Sequence, residues 1–288
     1  MKILIIAVIL LALFFLMVMA IDCNRFVVKE YKCKAEKLKK DAVLVLLTDL
    51  HGKSFGNNNE RLIKKIDELH PDMILIAGDM YTSVKGGDIK TAQQLVTGLS
   101  DRYPVYYGNG NHEHKTRIHP EIYGKMYEAY RQNLKKAGVR YLVNEKSSLP
   151  DYNMDIYGSE IARDYYGKFK KVSMETTYLE ETLGKPDRDC FSVLIAHNPD
   201  YFQNYAEWGA DLVVSGHVHG GLMRLPILGG VLSPAFKLFP KYDGGEFREG
   251  TATMILSRGL GTHTLPIRIF NPGELVVIHL ESGRLTEK

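Results

Sequence analysis

The sequence predicts an α/β protein that gathers its reactive groups at the carboxyl ends of its strands and carries one membrane-spanning helix ahead of the domain. Three observations lead there. From residue 42 onward, apolar runs of strand length alternate with amphipathic helical segments, the pattern of strands buried on both faces between helices. Five of these runs end in Asp, Asn or His, at the position where open α/β sheets hold their ligands. Residues 3–21 form an unbroken stretch of 19 apolar residues without charge, Gly or Pro, about 28 Å long as a helix and close to the thickness of a bilayer's hydrocarbon layer.

With 288 residues, 45% hydrophobic and 25% charged, the chain can bury a large core in one domain of α/β size, which excludes a disordered protein. The net charge of +3 points to no polyanionic partner. No interleaving of aromatic and basic residues outlines a nucleic-acid groove, so nucleic acid is not an expected partner. Cys23, Cys33 and Cys190 contain no Cys-x-x-Cys pair and fit neither a zinc ribbon nor a disulfide framework. Cys23 and Cys33 would pair in an oxidising compartment; free thiols are the default expectation.

Residues 1–22 read as an uncleaved membrane anchor. A cleaved signal peptide has a shorter apolar region and a small residue at position minus three, where Met17-Val18-Met19-Ala20 offers Val18. Lys2 precedes the stretch, while Arg25, Lys29, Lys32, Lys34, Lys37, Lys39 and Lys40 follow it. The positive-inside rule therefore keeps the domain in the cytoplasm, signal-anchor sequences commonly place it outside, and the basic residues suit anionic headgroups on either face. Residues 23–41 read as a basic linker, and 42–288 as one folded domain.

Within that domain, Ala42-Val43-Leu44-Val45-Leu46-Leu47 is a buried strand running into Thr48-Asp49-Leu50-His51. Leu62, Ile63, Ile66 and Leu69 recur at helical spacing over 59–70, and Pro71 ends that helix. Residues 73–77 form a second strand ending in Gly78-Asp79. A helix over 89–99 and a short strand at 105–107 lead to Gly108-Asn109-Gly110-Asn111-His112. An amphipathic helix spans 121–137, with Gly138 as its stop signal. Short strands at 141–143 and 155–157 and a helix over 174–183 carry no motif. Residues 191–196 form the next strand, ending in His197-Asn198-Pro199. A helix over 201–208 precedes a last apolar run into Ser215-Gly216-His217-Val218-His219-Gly220-Gly221. In an extended His-x-His the two rings share a face, and imidazole is the commonest metal ligand.

Taken singly, each candidate has an ordinary explanation: Asp at a strand end caps helices, and Asn between glycines fills turns. Five strand ends supplying Asp-x-His, Gly-Asp, Asn-His, His and His-x-His in order would rarely coincide by chance. Together these blocks resemble the calcineurin-like metallophosphoesterase superfamily. Ala196-His197-Asn198-Pro199-Asp200, Phe239-Pro240-Lys241-Tyr242 and Ser257-Arg258-Gly259-Leu260-Gly261 with Leu265-Pro266-Ile267-Arg268 resemble its membrane-associated bacterial branch. The resemblance implies a four-layer αββα sandwich of two mixed β-sheets, with 42–288 as the catalytic domain.

It further implies that Asp49, His51 and His219 bind one metal, that Asn111, His197 and His217 bind another, and that Asp79 bridges them. His112 matches the family's histidine that contacts phosphate and protonates the leaving group; spacing to it selects Asn111 over Asn109. The implied activity is hydrolysis of phosphomonoesters or phosphodiesters by a metal-bridging hydroxide, on a substrate such as a lipid-linked or acylated sugar nucleotide. His, Asp and Asn donors suit two divalent transition metals, Mn, Fe or Zn, rather than Ca or Mg. The competing reading is a non-catalytic scaffold that retains the fold. Residues 222–240, apolar but broken by Pro226, Gly229, Gly230 and Pro234, read as a cap over the site or a buried connection, with contact to the membrane surface as the alternative.

Overall fold

The computed structural model of the chain describes residues 1–167, 172–225, 229–231, 238–262 and 266–283. It opens with α1 (Lys2–Asp22) and, a few residues later, β1 (Phe26–Lys34). Then follow β2 (Ala42–Leu47), α2 (Glu60–Leu69), β3 (Met73–Ile76), α3 (Lys90–Ser100), β4 (Val105–Gly108), α4 (Asn111–Ile118), α5 (Pro120–Tyr123), α6 (Met126–Lys136) and β5 (Arg140–Leu142). The second half holds β6 (Glu145–Leu149), β7 (Met154–Ser159), α7 (Tyr178–Leu183), β8 (Phe191–Ala196), α8 (Phe202–Trp208) and β9 (Leu212–Ser215). A two-residue pair, β10 (Arg224–Leu225) and β11 (Gly229–Gly230), precedes β12 (Gly245–Glu249), β13 (Ala252–Leu256) and β14 (Gly273–Glu281).

Two six-stranded sheets result, ordered β1-β14-β2-β3-β4-β5 and β12-β13-β9-β8-β7-β6. Both are mixed. In the first, β14 is antiparallel to β2 and every other pairing is parallel; in the second, β6 and β12 are antiparallel edges on a parallel centre.

Alternation of side chains along the strands sets the layers. Val45 and Leu47 of β2 pack with Leu62 and Ile66 of α2, Leu95 and Leu99 of α3 and Tyr130 of α6. Leu44 and Leu46 instead pack between the sheets with Ile156, Val193, Ile195, Val214 and Ile255. On the far face, Leu194 and Val213 meet Leu179 of α7 and Tyr205 and Trp208 of α8. The architecture is the αββα sandwich that the resemblance implies.

Part of the basic linker is in fact a strand. β1 pairs in parallel with β14 from Phe26↔Gly273 to Lys34↔Glu281, so the first sheet begins at residue 26 rather than 42. The charges that suggested a linker, Lys29, Glu30, Lys32 and Lys34, are those of a strand with one edge open to water. The helix expected over 121–137 breaks into α5 and α6 at Gly124, whose φ is 61°. Helix α1 has the length and composition to cross a membrane. All three thiols are free. Of the apolar residues in 222–240, Ile227, Leu228, Leu232 and Phe236 lie outside the described residues.

Candidate metal centre

The parallel strands end side by side, and the side chains that follow them converge. Asp49 and His51 follow β2, Asp79 follows β3, Asn111 and His112 open α4 after β4, His197 follows β8, and His217 and His219 follow β9. Asn109 turns elsewhere, its amide bonded to Tyr127, Glu160 and Tyr141.

Donor atoms within 4.8 Å of one another group as Asp49, His51 and His219, as Asp79, His197 and His217, and as His51, Asp79 and His112. The His51 and His219 rings stack with their Nε2 atoms 3.1 Å apart. Asp49 Oδ1 lies 3.2 Å from His219 Nε2, and Asp79 Oδ2 lies 3.2 Å from His197 Nε2 and 4.0 Å from His51 Nε2.

The two rings of the His-x-His do not share a face. His217 and His219 have φ of 76° and 53°, and Asp49, His51 and Asp79 are also left-handed at 52°, 49° and 53°. The pair therefore leaves the extended conformation and sends one ring to each cluster. Such backbone costs of order 1–3 kcal/mol per residue and persists where its surroundings over-determine it. Close approach is part of that constraint: a Cβ on Gly216 would strike Asp49 Oδ2 and Thr48 Oγ1, and one on Gly110 would strike the Asp79 carboxylate.

Both carboxylates are fully buried. Burial alone would raise their pKa values. His219 and His197 outweigh it at Asp49, as do His197, His112 and His51 at Asp79, holding both carboxyls below the usual range. Burial, reinforced by His219, keeps His51 from protonating, and burial with His197 holds His217 down to about 3. At His197 burial opposes a proton, but Asp79 and Asp49 prevail and lift it to about 10.

Hydrogen bonds orient the rings. His197 Nδ1 lies 2.6 Å from the Ala77 carbonyl, which fixes a proton on Nδ1 and leaves Nε2 facing the centre. His112 Nδ1 accepts from the Ser83 backbone N–H at 2.9 Å, so the proton of the neutral ring sits on Nε2, 3.9 Å from Asp79 Oδ2. The His112 backbone N–H donates to Asp79 Oδ1 at 2.8 Å.

Two supporting residues escaped the sequence reading. Glu113 accepts from the backbone N–H groups of Asp79, Met80 and Gly110 and from the Tyr107 hydroxyl, at 2.7 to 3.0 Å, tying the loop after β3 to the start of α4. Burial, then the Asp79 charge, pushes its carboxyl up to about 7. A Glu three residues after a helix-capping position was a visible signal. Ser83 carries no such signal.

Asn111 offers the sharpest test of whether a metal fits. One of its amide atoms lies 2.8 Å from His217 Nδ1 and 3.3 Å from both Asp79 Oδ2 and His197 Nε2. As nitrogen, it would donate to Asp79 and His217; as oxygen, it would face these two acceptors, a conflict that a cation reconciles. Imidazole, carboxylate and amide donors in this proportion fit a divalent transition metal.

The model of the calcineurin-like phosphoesterase family matches residues 42–221. An uncharacterized metallophosphoesterase of Campylobacter jejuni is 28% identical over 271 residues, covering 89% of this chain and 64% of its own length. One from Bacillus subtilis is 27% identical over 225 residues, with 77% and 72% covered. A zebrafish protein named transmembrane protein with metallophosphoesterase domain is 26% identical over 248 residues, with 83% and 53% covered. The chain thus spans less than two thirds of the Campylobacter and zebrafish relatives. With a match that takes in every residue of both donor clusters, the chain belongs to the calcineurin-like phosphoesterase family.

Proposed function

We propose that the chain is a membrane-anchored, metal-dependent phosphoesterase acting on phosphomonoesters or phosphodiesters. The observation that carries this reading is the pair of donor clusters, Asp49, His51 and His219 and Asp79, His197 and His217, linked by a third group of His51, Asp79 and His112. Asp49, His51 and His219 would hold one divalent ion, Asn111 through its amide oxygen with His197 and His217 a second, and Asp79 would serve both. Bound there, the ions would supply Lewis-acid chemistry, polarising the phosphoryl oxygens and activating water at neutral pH.

The chain's own residues prepare the rest. Asp49 and Asp79 contribute two negative charges against four, leaving the centre at +2 and attractive to an anionic ester. His197 presents Nε2 because Ala77 holds its Nδ1 proton. His112 presents an N–H at Nε2 because Ser83 occupies Nδ1, which places a hydrogen-bond donor where a leaving oxygen would lie. Helix α1 supports a single-pass anchor, and with it a substrate class borne by the membrane, such as a lipid-linked or acylated sugar nucleotide. A scaffold that had lost its chemistry would be expected to lack a donor or His112, and all eight positions are filled.

Hydrolysis of bis-p-nitrophenyl phosphate and p-nitrophenyl phosphate by the full chain in detergent with added Mn tests the reading. Asp79→Ala and His112→Ala are each expected to lower the rate by about 100-fold or more. Unchanged rates in both variants would refute the site.

A further inference from the structure

The end of the apolar helix is bonded into the domain close to the candidate centre. Asp22, the last residue of α1, is buried, and its Oδ2 accepts from the Asn271 backbone N–H at 2.9 Å. The Asn271 amide in turn donates to the carbonyls of His219 and Gly221, at 2.7 Å each. Two successive hydrogen bonds therefore join the helix end to the loop carrying His219.

Farther up the helix, Phe270 sets its ring 6.3 Å from those of Phe14 and Phe15. Phe15 precedes Asp22 by two turns, roughly 10 Å along the axis. A side chain of the domain thus stands beside the apolar stretch, well beyond the point where the helix enters the domain. Phe270 is left-handed at φ 53° and the residue is 41% exposed, so the fold accepts both backbone strain and an exposed aromatic there.

A ladder of backbone hydrogen bonds widens this surface. Ile269 bonds with Leu222 and Arg224, Val231 donates to Met223, and Phe239 donates to Val231. Four segments lie side by side, with Phe270 toward α1 and exposed Leu238 and Phe239 across the ladder. At the helix end, Arg25 pairs with Asp22 at 2.8 Å, and Lys53, bonded to Asn24, adds positive charge where lipid headgroups would lie.

We infer that Phe270, Leu238 and Phe239 form, beside α1, a surface that enters the apolar layer of a lipid bilayer and fixes the candidate metal centre near headgroup level. The inference rests on the proposed anchoring role of α1 and draws its occupant from continuity with that helix. A domain on a flexible stalk would have neither the Asp22–Asn271 bond nor an aromatic packed two turns up the anchor.

The test uses the full chain reconstituted into vesicles of phosphatidylethanolamine and phosphatidylglycerol, with or without bromine on the acyl chains, separated by flotation. The single tryptophan, Trp208, is buried in the core and serves as the unquenched reference. In a Phe270→Trp variant the added emission is expected to be lost in brominated vesicles. Phe239→Trp is expected to behave alike and keeps the test open if position 270 does not tolerate an indole. Flotation with the added emission untouched by bromine at both positions would overturn the insertion and leave the anchor standing. Failure of the unsubstituted chain to float would overturn both.

Discussion

Removing the acceptors of Glu113 should unfasten the loops that carry Asp79 and Asn111. The carboxylate is fully buried and takes three backbone N–H donors and one hydroxyl. Glu113→Leu keeps the approximate volume and leaves the donors of Asp79, Met80 and Gly110 without an acceptor. At about 1–3 kcal/mol for each unsatisfied buried donor, the loss is about 3–9 kcal/mol, comparable to the whole stability of a typical domain. Glu113→Gln should be milder. Its NH2 can occupy the Oε1 position, where the Tyr107 hydroxyl can turn to accept from it, so the remaining conflict is with the Met80 N–H and costs about 1–3 kcal/mol. Denaturant unfolding of the full chain in detergent, followed by Trp208 emission, measures both variants, with exposed Glu68→Gln as a control. If Glu113→Leu shifted stability by less than about 1 kcal/mol, the carboxylate would not be the clasp described.

Three further outcomes are expected. Gly216→Ala would drive a methyl into Asp49 and Thr48, costing about 1–3 kcal/mol from overpacking and lowering metal-dependent activity; thermal unfolding and rate read the two effects. His219→Ala and His217→Ala should each weaken one bound metal more than the other, which metal titration by calorimetry would resolve, and equal weakening of both would contradict the division of the pair. Asp155 is held below its usual pKa: burial opposes this, but hydrogen bonds from Ser148 and Lys146 and the Lys146 charge prevail. Its contribution to stability is therefore present above about pH 4 and lost as acid protonates it in the folded state. Asp155→Asn should flatten the stability–pH curve in that acid window and leave its slope at neutral pH unchanged.

The residues of the centre were legible because each sits directly after an apolar run, where a strand's end and its ligand occupy adjacent positions in sequence. What supports them was hidden by distance along the chain. Ser83 meets His112 and Glu113 meets Asp79 across about thirty residues, and Asn271 reaches back to His219 from farther still; local periodicity records none of these contacts. Strand β1 was obscured for a related reason. Its partner β14 lies at the other end of the sequence, and an edge position permits the charges that make a segment read as linker. The conformation of the His-x-His was misread because period-two alternation assumes an extended chain, whereas Gly216 and the Asp49 carboxylate, which accepts from the His217 N–H, turn it left-handed. The division of its two rings between the clusters follows from that turn.

The strand order β1-β14-β2 also bears on how the chain assembles during synthesis. Strands β1 and β2 leave the ribosome early, yet the strand that lies between them begins at Gly273. At about 5–20 residues per second, β14 appears roughly 10–50 s later. Through that interval the first sheet lacks an interior strand, and two edges, one charged and one apolar, wait for the same partner. The lysines of β1 guard one of them against mispairing; β2, with no charged residue, has no such protection. Until this gap closes, the uncharged edge of β2 stays open to pairing with another chain.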